Sequence, residues 1–575
     1  MLKNKQKIIH IMLAVVMCIS MLQGICVHAE GTPTPTPESS VTTPEPSVPT
    51  PKTPIPVKKT PTPPKKTPKP PKQKKISMKK ALTLDVGKTK TLTVSGTKKA
   101  VKWSSSNRKV AVLTKVGKKK LKILGKDDGT TIITAKAENQ RITCKVKIEK
   151  KKIRILLKST GYKSLTHDKV TLTSTNKFTV SNGKRTKTYP AKKKISIKAS
   201  SKIFKDASVV TIQPEKKGRI TLTSIKRSQG NPSYRGAIIL RKAGNNLSVV
   251  NEVPLEEYLY SVVSSEISSS SPAETLKAQA ITARSYAYSH LGNGNYKKYK
   301  ADFDDSTTFQ VYNNLAETQS TRKAVNETED KVLKDGNKIV STFYFSTSFG
   351  QTTVPSEIWG SVRADRYYKS ILQQKRESQK NLSTESAFEA FIKSTTTTFD
   401  SKSDWYRWHV TITKKDFQKY INGRLASWYA SYPSYVKTKQ KDGSYKSQKI
   451  SSIGKLKNVT IVERKKSGLA SVLQIKGSKN TVRIYGGERL RYILSPGSNP
   501  IVKKNGGKVS GMSSLPSSFF CVKKSKKKYT IYGGGYGHGV GMSQTGANQM
   551  GREGYSYVKI LHHYFKNVQI KRIIS

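Results

Sequence analysis

The chain has 575 residues, with 107 Lys and Arg against 36 Asp and Glu and a formal net charge of +71 at neutral pH. This length excludes a single hydrophobic core and predicts roughly two to four domains. So large a positive charge indicates a polyanionic partner or surface. Nucleic acid is the usual first candidate for such a partner.

The N-terminus argues against nucleic acid. Lys3, Lys5 and Lys7 precede an apolar run over residues 8–22, and small residues at Val27 and Ala29 suit signal peptidase. We therefore interpret residues 1–29 as a signal peptide cleaved after Ala29, which makes the mature protein secreted. No later stretch approaches the roughly 20 apolar residues of a membrane span, so we expect no further membrane anchor. Outside a cell the available polyanions are wall polymers and lipid headgroups, and anionic wall polymers are the expected partners.

Residues 30–75 are rich in Thr, Lys and Pro. Such a segment has too few apolar residues for a core, and its prolines favour extended polyproline II. We predict a disordered stalk, with a specific binding partner as the less favoured alternative.

Residues 76–149 carry short runs of alternating apolar and polar residues between Gly and Asn turns, which predicts a small all-β sandwich. The segment resembles the bacterial Ig-like group 2 family. The residues that carry this resemblance are Asp85-Val86-Gly87, the Trp103 to Asn107 run and the Asp128 to Ile133 run. The resemblance implies a module that spaces, adheres or binds wall material.

From residue 151 to Val253 the β-type pattern continues, and helical periodicity begins at Pro254. Leu255, Leu259 and Val262 follow at i, i+4 and i+7 on one helix face. Glu266, at i+11, falls on the same face, about 20° from Leu255 around the axis, so its carboxyl points toward the core.

Burial and the negative end of the helix dipole both disfavour a charged Glu266, so we expect a raised pKa. A carboxyl group that keeps its proton near neutral pH can act as a general acid. From the pattern alone, a satisfied structural hydrogen-bonding role is the more common alternative.

A second helix is predicted to follow, with Ser271 as N-cap, Pro272 as its first residue and Glu274 completing a capping box. Gln279 and Arg284 lie beside its apolar stripe and could face a groove. For Arg284 a solvated or salt-bridged role is the favoured alternative.

Three further segments attract attention. They are Gln310-Val311-Tyr312, the polar turn with Ser346, Ser348 and Thr352, and the glycine-rich run from Tyr532 to Gly546. Glycine at this density lets a backbone approach a ligand closely, and we expect His538 to be exposed there. No metal-ligand spacing occurs, and residues 375–520 show no readable motif.

These segments together resemble the stage II sporulation protein D / LytB amidase-enhancer family. The most specific matches are the Val253 to Glu266 run, the Glu274 to Tyr286 run and the Gly535 to Ala547 run. The resemblance implies an α+β catalytic-type domain over residues 151–575, with an insertion around 375–520. It places the catalytic glutamate on Glu266 and a substrate-binding role on Gln279, Arg284, Gln310, Ser346, Ser348, Thr352, His538, Ser543 and Gln544.

Sporulation members of the family are similar to lytic transglycosylases, which cleave peptidoglycan glycan strands that lack stem peptides. This activity needs no cofactor. Some relatives carry two zinc-ligating cysteines where this chain has Asp304 and Phe309, so we expect no metal. The family's histidine before the serine motif is Phe345 here, and its Gly-Gly is Phe349-Gly350.

Two other classes of function stay open. The chain could be a non-catalytic wall-binding enhancer of an N-acetylmuramoyl-L-alanine amidase, which would make a wall amidase its partner. It could also be a purely adhesive basic protein, although the Glu266 and Gly-His-Gly motifs disfavour this.

Overall fold

A computed structural model describes residues 74–573, apart from positions 293, 295, 361–364 and 395. The expected signal peptide and all but the last two residues of the expected stalk therefore lie outside the described residues. The structure combines helices with many β-sheets, in agreement with a mixed α and β class. Within the described ranges, no helix is long and apolar enough to cross a membrane.

Residues 76–149, called the N-terminal β-domain below, form two sheets that enclose two adjoining apolar clusters. One sheet has the order β1-β7-β6-β3 and the other β2-β5-β4. Alternate residues such as Leu82, Leu84 and Val146 are buried in one of these clusters, as the two-residue period predicts. The strands are β1 (Ala81–Asp85), β2 (Thr89–Thr93), β3 (Lys102–Ser105), β4 (Ala111–Lys115), β5 (Lys120–Gly125), β6 (Gly129–Ala137) and β7 (Gln140–Glu149).

A second β-region follows directly. Its strands are β8 (Lys152–Leu156), β9 (Lys169–Ser174), β10 (Phe178–Ser181), β11 (Thr186–Tyr189), β12 (Ile195–Lys198), β13 (Val209–Pro214), β14 (Ile220–Leu222), β15 (Ser233–Tyr234), β16 (Ala237–Ala243) and β17 (Asn246–Pro254). With β18 (Phe303–Asp304), they form a sheet of order β11-β10-β13-β16-β17-β8-β18 and a second one of order β12-β9-β14-β15.

Three helices pack beside this region: α1 (Leu255–Glu266), α2 (Ala273–His290) and α3 (Gln319–Glu327). Helix α1 ends at Glu266, as predicted. The predicted capping box of α2 is wrong. Pro272 has an extended backbone and is the N-cap residue, so the helix begins one residue later than expected. The Ser271 hydroxyl caps nothing, and Glu274 instead accepts a bond from the backbone N–H of Tyr557.

The remaining elements include the region whose sequence shows no readable motif. The helices are α4 (Pro355–Trp359), α5 (Glu385–Lys393), α6 (Lys414–Ser431), α7 (Gly487–Ile493), α8 (Gln544–Arg552) and α9 (Tyr557–Tyr564). The strands are β19 (Lys331–Asp335), β20 (Lys338–Ile339), β21 (Tyr344–Phe345), β22 (Trp408–Thr413), β23 (Val436–Lys439), β24 (Tyr445–Lys446), β25 (Leu456–Arg464), β26 (Ala470–Gly477), β27 (Thr481–Tyr485), β28 (Ile501–Lys503), β29 (Lys508–Val509), β30 (Phe520–Lys524), β31 (Lys528–Gly533), β32 (Met542–Ser543) and β33 (Gln569–Arg572).

These strands form two five-stranded sheets, β29-β28-β22-β31-β30 and β24-β23-β27-β26-β25, together with β20-β19-β33 and the parallel pair β21-β32. The pair β21-β32 places Tyr344 opposite Met542 and Phe345 opposite Ser543. It therefore joins the serine motif to the glycine-rich run. The hydroxyl of Thr275 in α2 donates to the carbonyl of Ala547 (3.0 Å), which brings this pair against the helix after Glu266.

Candidate active site

Glu266 is the last residue of α1 and lies at the junction of the sequence motifs. Leu255, Leu259 and Val262 on the same face are fully buried, whereas Glu266 itself is half-buried. Glu266 therefore lies at the edge of the core, at the end of the helix. The backbone N–H of Val311 donates to its Oε1 at 2.6 Å.

Burial raises the pKa of Glu266 to about 7, and hydrogen bonds from the Val311 N–H and the Tyr344 hydroxyl oppose part of the rise. Glu266 forms no ion pair with any residue that the structure describes, in a protein with a net charge of +71. Its neighbours are phenols, since its negative charge acts on Tyr258, Tyr286 and Tyr344. Burial is thus the main cause of the raised pKa.

Gln310 orients the groups around Glu266. Its side-chain amide is fully buried, accepts a bond from the Tyr258 hydroxyl (3.3 Å) and donates to the Tyr344 hydroxyl (3.2 Å). Because Tyr344 accepts from Gln310, its own O–H is free to donate to the Glu266 carboxyl. Gln310 therefore acts on Glu266 through Tyr344, and its buried amide does not face a groove.

His538 holds the backbone at Tyr344. Its Nδ1 accepts from the Val540 N–H, so its Nε2 carries the proton and donates to the Tyr344 carbonyl (3.1 Å). Burial lowers the pKa of His538 to about 3, and its ring packs against Phe343, Phe345 and Trp359. The expectation of an exposed histidine is wrong: His538 is half-buried and neutral, with both nitrogens engaged.

Gln544, the first residue of α8, reaches the end of α1. Its Nε2 donates to the Glu266 carbonyl (3.0 Å) and lies 3.5 Å from the Oε1 of Gln279. Gln279 is fully buried, and its Nε2 has no partner among the described residues. The structure thus brings Gln279 and Gln544 together beside the backbone of Glu266.

The serine motif is tied to the fold rather than open to solvent. Ser348, Thr352 and Ser543 are each at most 3% exposed, while Ser346 is half-buried. Asp400 accepts bonds from the Ser348 N–H (2.9 Å) and the Ser543 hydroxyl. Thr352 donates to the carbonyl of Lys369. Only Ser346 in this set keeps partial access to a ligand.

Arg284 does not face a groove. Its guanidinium is fully buried and forms two parallel bonds with Glu256, at 2.7 Å and 2.6 Å. It also donates to the carbonyls of Val325 and Lys331. The salt-bridged alternative therefore describes Arg284, which locks the first turn of α1 against α2, α3 and β19.

Asp304 and Phe309, which stand where some relatives have zinc-ligating cysteines, are packed and hydrogen-bonded within the fold. Asp304 accepts bonds from the Tyr296 and Ser306 hydroxyls, and Phe309 stacks on Phe303. No cluster of three or more His, Cys, Asp or Glu that could hold a metal ion occurs within the described part of the chain.

Phe345 and Phe349, the two positions that depart from the family pattern, pack against other aromatic rings. Phe345 lies 5.5 Å from the His538 ring, measured between ring centroids. Phe349 stacks on Phe519 and contacts Phe388 and Phe391. Phe349 thus connects residues 375–520, for which the sequence showed no readable motif, to the candidate site.

Sequence reasoning missed Tyr344, the Val311 N–H and Asp400. Tyr344 directly precedes Phe345, where the family pattern has a histidine. This neighbouring position is the only sequence feature that could have drawn attention to Tyr344. Asp400 lies in the unreadable region, and nothing in its sequence context distinguishes it from a surface acid. A backbone N–H leaves no sequence signal at all.

Comparison with known proteins agrees with these motifs. The family described as stage II sporulation protein matches residues 243–334, and a domain of unknown function matches residues 355–541. The stage II sporulation protein D of Bacillus subtilis (strain 168) is 27% identical over 386 residues, which are 65% of this chain and 87% of that protein. The amidase enhancer of the same organism is 28% identical over 319 residues, 53% of this chain.

The chain spans only 39% of the length of the amidase enhancer. Among solved structures, domains 4 and 5 of the S-layer protein SbsC align with 13% of this chain and 44% of that one, at 19% identity and a TM-score of 0.12. The family match covers α1, α2, α3 and the segment that contains Val311. Residues 243–334 therefore match the stage II sporulation protein family model, and Glu266 lies within the matched segment.

Proposed function

We propose that this protein is a secreted, wall-associated lytic transglycosylase that cleaves peptidoglycan glycan strands, preferably those without stem peptides, in a sporulation-related process. One observation carries the proposal: a half-buried glutamate whose pKa burial raises to about 7, with no cationic partner among the described residues, at the meeting point of the family motifs. We include in the proposal an Ig-like group 2 identity for the N-terminal β-domain, and wall anions as partners of the basic surface.

The proposed reaction uses one carboxyl twice. Protonated Glu266 donates its proton to the glycosidic oxygen while the bond from that oxygen to the muramic acid C1 breaks. The resulting carboxylate then takes the proton of the C6 hydroxyl, whose oxygen bonds to C1 and closes a 1,6-anhydro ring. Water is not consumed, so no second carboxylate is required.

The surroundings of Glu266 support both halves of this cycle. Burial among phenols favours the protonated acid before cleavage. The N–H of Val311 and the hydroxyl of Tyr344 stabilise the carboxylate after proton donation. The two states therefore have similar free energies near neutral pH, as a group that serves as both acid and base requires.

Glu266→Gln tests the proposal on glycan strands from which stem peptides have been removed. We expect anhydromuramic ends, detected by mass spectrometry, to fall by roughly 10²–10⁴-fold, the usual contribution of a general acid. Asp400→Asn is the matched control, because burial also raises the pKa of Asp400 to about 7 but this side chain is fully buried. Equal product from Glu266→Gln and the parent protein would refute the enzymatic proposal.

The second candidate is a non-catalytic enhancer of a wall amidase. The 28% identity to the amidase enhancer favours it. In that case Glu266→Gln leaves stimulation of an added N-acetylmuramoyl-L-alanine amidase intact, and neither protein releases anhydromuramic ends. Measuring both products in the same digest separates the two functions.

A further inference from the structure

The N-terminal β-domain contains a surface groove of about 550 Å³ between its two sheets. Strand β3 is the edge of one sheet and β4 is the edge of the other. The groove opens between these two edges, and residues of both strands line it. Its volume is within the range of roughly 300–1,000 Å³ that ligand sites occupy.

The charged residues that line the groove are all cations: Lys102, Arg108 and Lys115. Each is exposed, and none forms a salt bridge with a residue that the structure describes. Other grooves of the protein differ. The groove at Arg235 also contains Glu252 and Glu257, and the cleft at Lys150 also contains Glu256 and Glu329. No acidic side chain among the lining residues of the groove at Lys102 balances its positive charge, and this favours an anionic occupant.

The same groove is partly apolar. Val112 and Leu113 line it, and Val112 is 41% exposed. Trp103 also lines it and offers part of its ring surface, while its indole nitrogen is buried without a hydrogen-bond partner among the described residues. A bare phosphate would use only the cations. An occupant with carbon-bound hydrogens and hydroxyls between its charges would also contact the valine, leucine and indole surfaces.

We propose that this groove binds a polyol-phosphate wall polymer, with its phosphates at Lys102, Arg108 and Lys115 and its polyol carbons against Trp103 and Val112. The groove is thus a built retention site, distinct from the diffuse attraction of a protein with a net charge of +71. It belongs to a different domain from Glu266, so the proposal is independent of whether Glu266 is catalytic.

The test measures binding of the full chain to purified glycerol-phosphate polymer by isothermal titration calorimetry. In the groove variant, Lys102, Arg108 and Lys115 are all changed to Glu. Near an anionic polymer each cation contributes substantially, so we expect affinity to fall roughly a hundredfold. Because all three side chains are exposed, the variant should keep the melting temperature of the parent.

The matched control changes Lys80, Lys88 and Lys90 to Glu. These three lysines are exposed and lie at the opposite sheet edges, beside β1 and at β2, so the net charge changes by the same amount. We expect this control to bind within about threefold of the parent, because screening confines charge effects to about 10 Å. Equal losses in the two variants would overturn the proposal, since the binding would then depend only on total charge.

A second variant, Trp103→Phe, keeps every charge and reduces the aromatic surface that lines the groove. We expect a loss of about fivefold in affinity with an unchanged salt dependence, because apolar contact area is lost and no charge changes. An unchanged affinity would contradict the indole contact. Equally tight binding of duplex DNA by the parent protein would contradict the selection of a polyol phosphate.

Discussion

The two ends of α1 hold glutamates in opposite electrostatic surroundings. At the first turn, Glu256 is buried and paired in bidentate fashion with Arg284. At the last turn, Glu266 is half-buried and has no cationic partner among the described residues, and burial raises its pKa to about 7. One helix thus carries a structural carboxylate and a carboxyl suited to proton transfer. The difference lies in whether a cation is present.

This contrast matters because cations are abundant elsewhere. Glu317 lies beside Arg219, Arg235 and Arg322. Burial alone would raise its pKa, but hydrogen bonds and charge attraction from Arg235 and Arg219 outweigh burial and lower the pKa to about 2. A partner of that kind near Glu266 would hold it ionised at neutral pH and abolish its use as an acid. The tyrosines around Glu266 occupy the space that a basic side chain would need, so the pKa of Glu266 stays near 7.

The largest effect on the free energy of unfolding is expected from breaking the ion pair between Glu256 and Arg284. Arg284→Ala leaves the Glu256 carboxylate buried without a partner, and removing one member of a buried pair costs about 3–5 kcal/mol. Urea denaturation should show this loss in the free energy of unfolding. The control is Arg185→Ala, whose exposed pair with Asp206 should contribute at most about 1 kcal/mol. Equal midpoints for the two variants would contradict a locking role for Arg284.

The next effect concerns the unpaired end and its dependence on pH. The folded-state pKa of Glu266, about 7, lies above the unfolded value of about 4.3, so the folded state binds the proton more tightly. Its contribution to stability is therefore complete below about pH 4 and is lost as pH rises to about 7, by up to about 4 kcal/mol.

Glu266→Gln removes this dependence. We expect the variant to gain stability relative to the parent between about pH 4 and pH 7, because over this range the unfolded parent releases a proton that the folded parent keeps, whereas the amide does not titrate in either state. Asp400 titrates in the same direction in both proteins, so the difference between the two stability curves isolates Glu266. Parallel curves over this range would show that Glu266 ionises as in open water.

Much of α1 could be predicted from sequence, because apolar spacing at i, i+4 and i+7 is a local property. The same spacing placed Glu266 at the helix end and predicted its raised pKa. The pairing of Arg284 could not be predicted, since its partner lies 28 residues away on a different helix. The engagement of both His538 nitrogens depends on backbone atoms of Tyr344 and Val540, which carry no sequence signal.

The boundary of α2 shows a different limit. Ser271, Pro272 and Glu274 fit a capping box by residue type, but Tyr557, far along the chain, engages the Glu274 carboxyl instead. The region after residue 375 was unreadable for a similar reason. Its anchoring to the site depends on Asp400 and on contacts of Phe349 with Phe388 and Phe519, which form only in the folded chain.

The smallest effect should come from Tyr344→Phe, which sharpens the comparison without adding a charge. The Tyr344 hydroxyl donates to the Glu266 carboxyl and favours its ionised form, so removing it should raise the pKa of Glu266 further above 7. Since cleavage requires the protonated acid, the decline of activity at alkaline pH should move to higher pH, by about one unit or less. The measurement is the pH profile of kcat/KM for release of anhydromuramic ends. Tyr286→Phe is the control, because the charge of Glu266 acts on this phenol but no hydrogen bond from it contributes to the pKa of Glu266. A shift toward lower pH in Tyr344→Phe would mean that the hydroxyl stabilises the protonated acid instead, and the assignment of donor and acceptor between Tyr344 and Glu266 would be reversed.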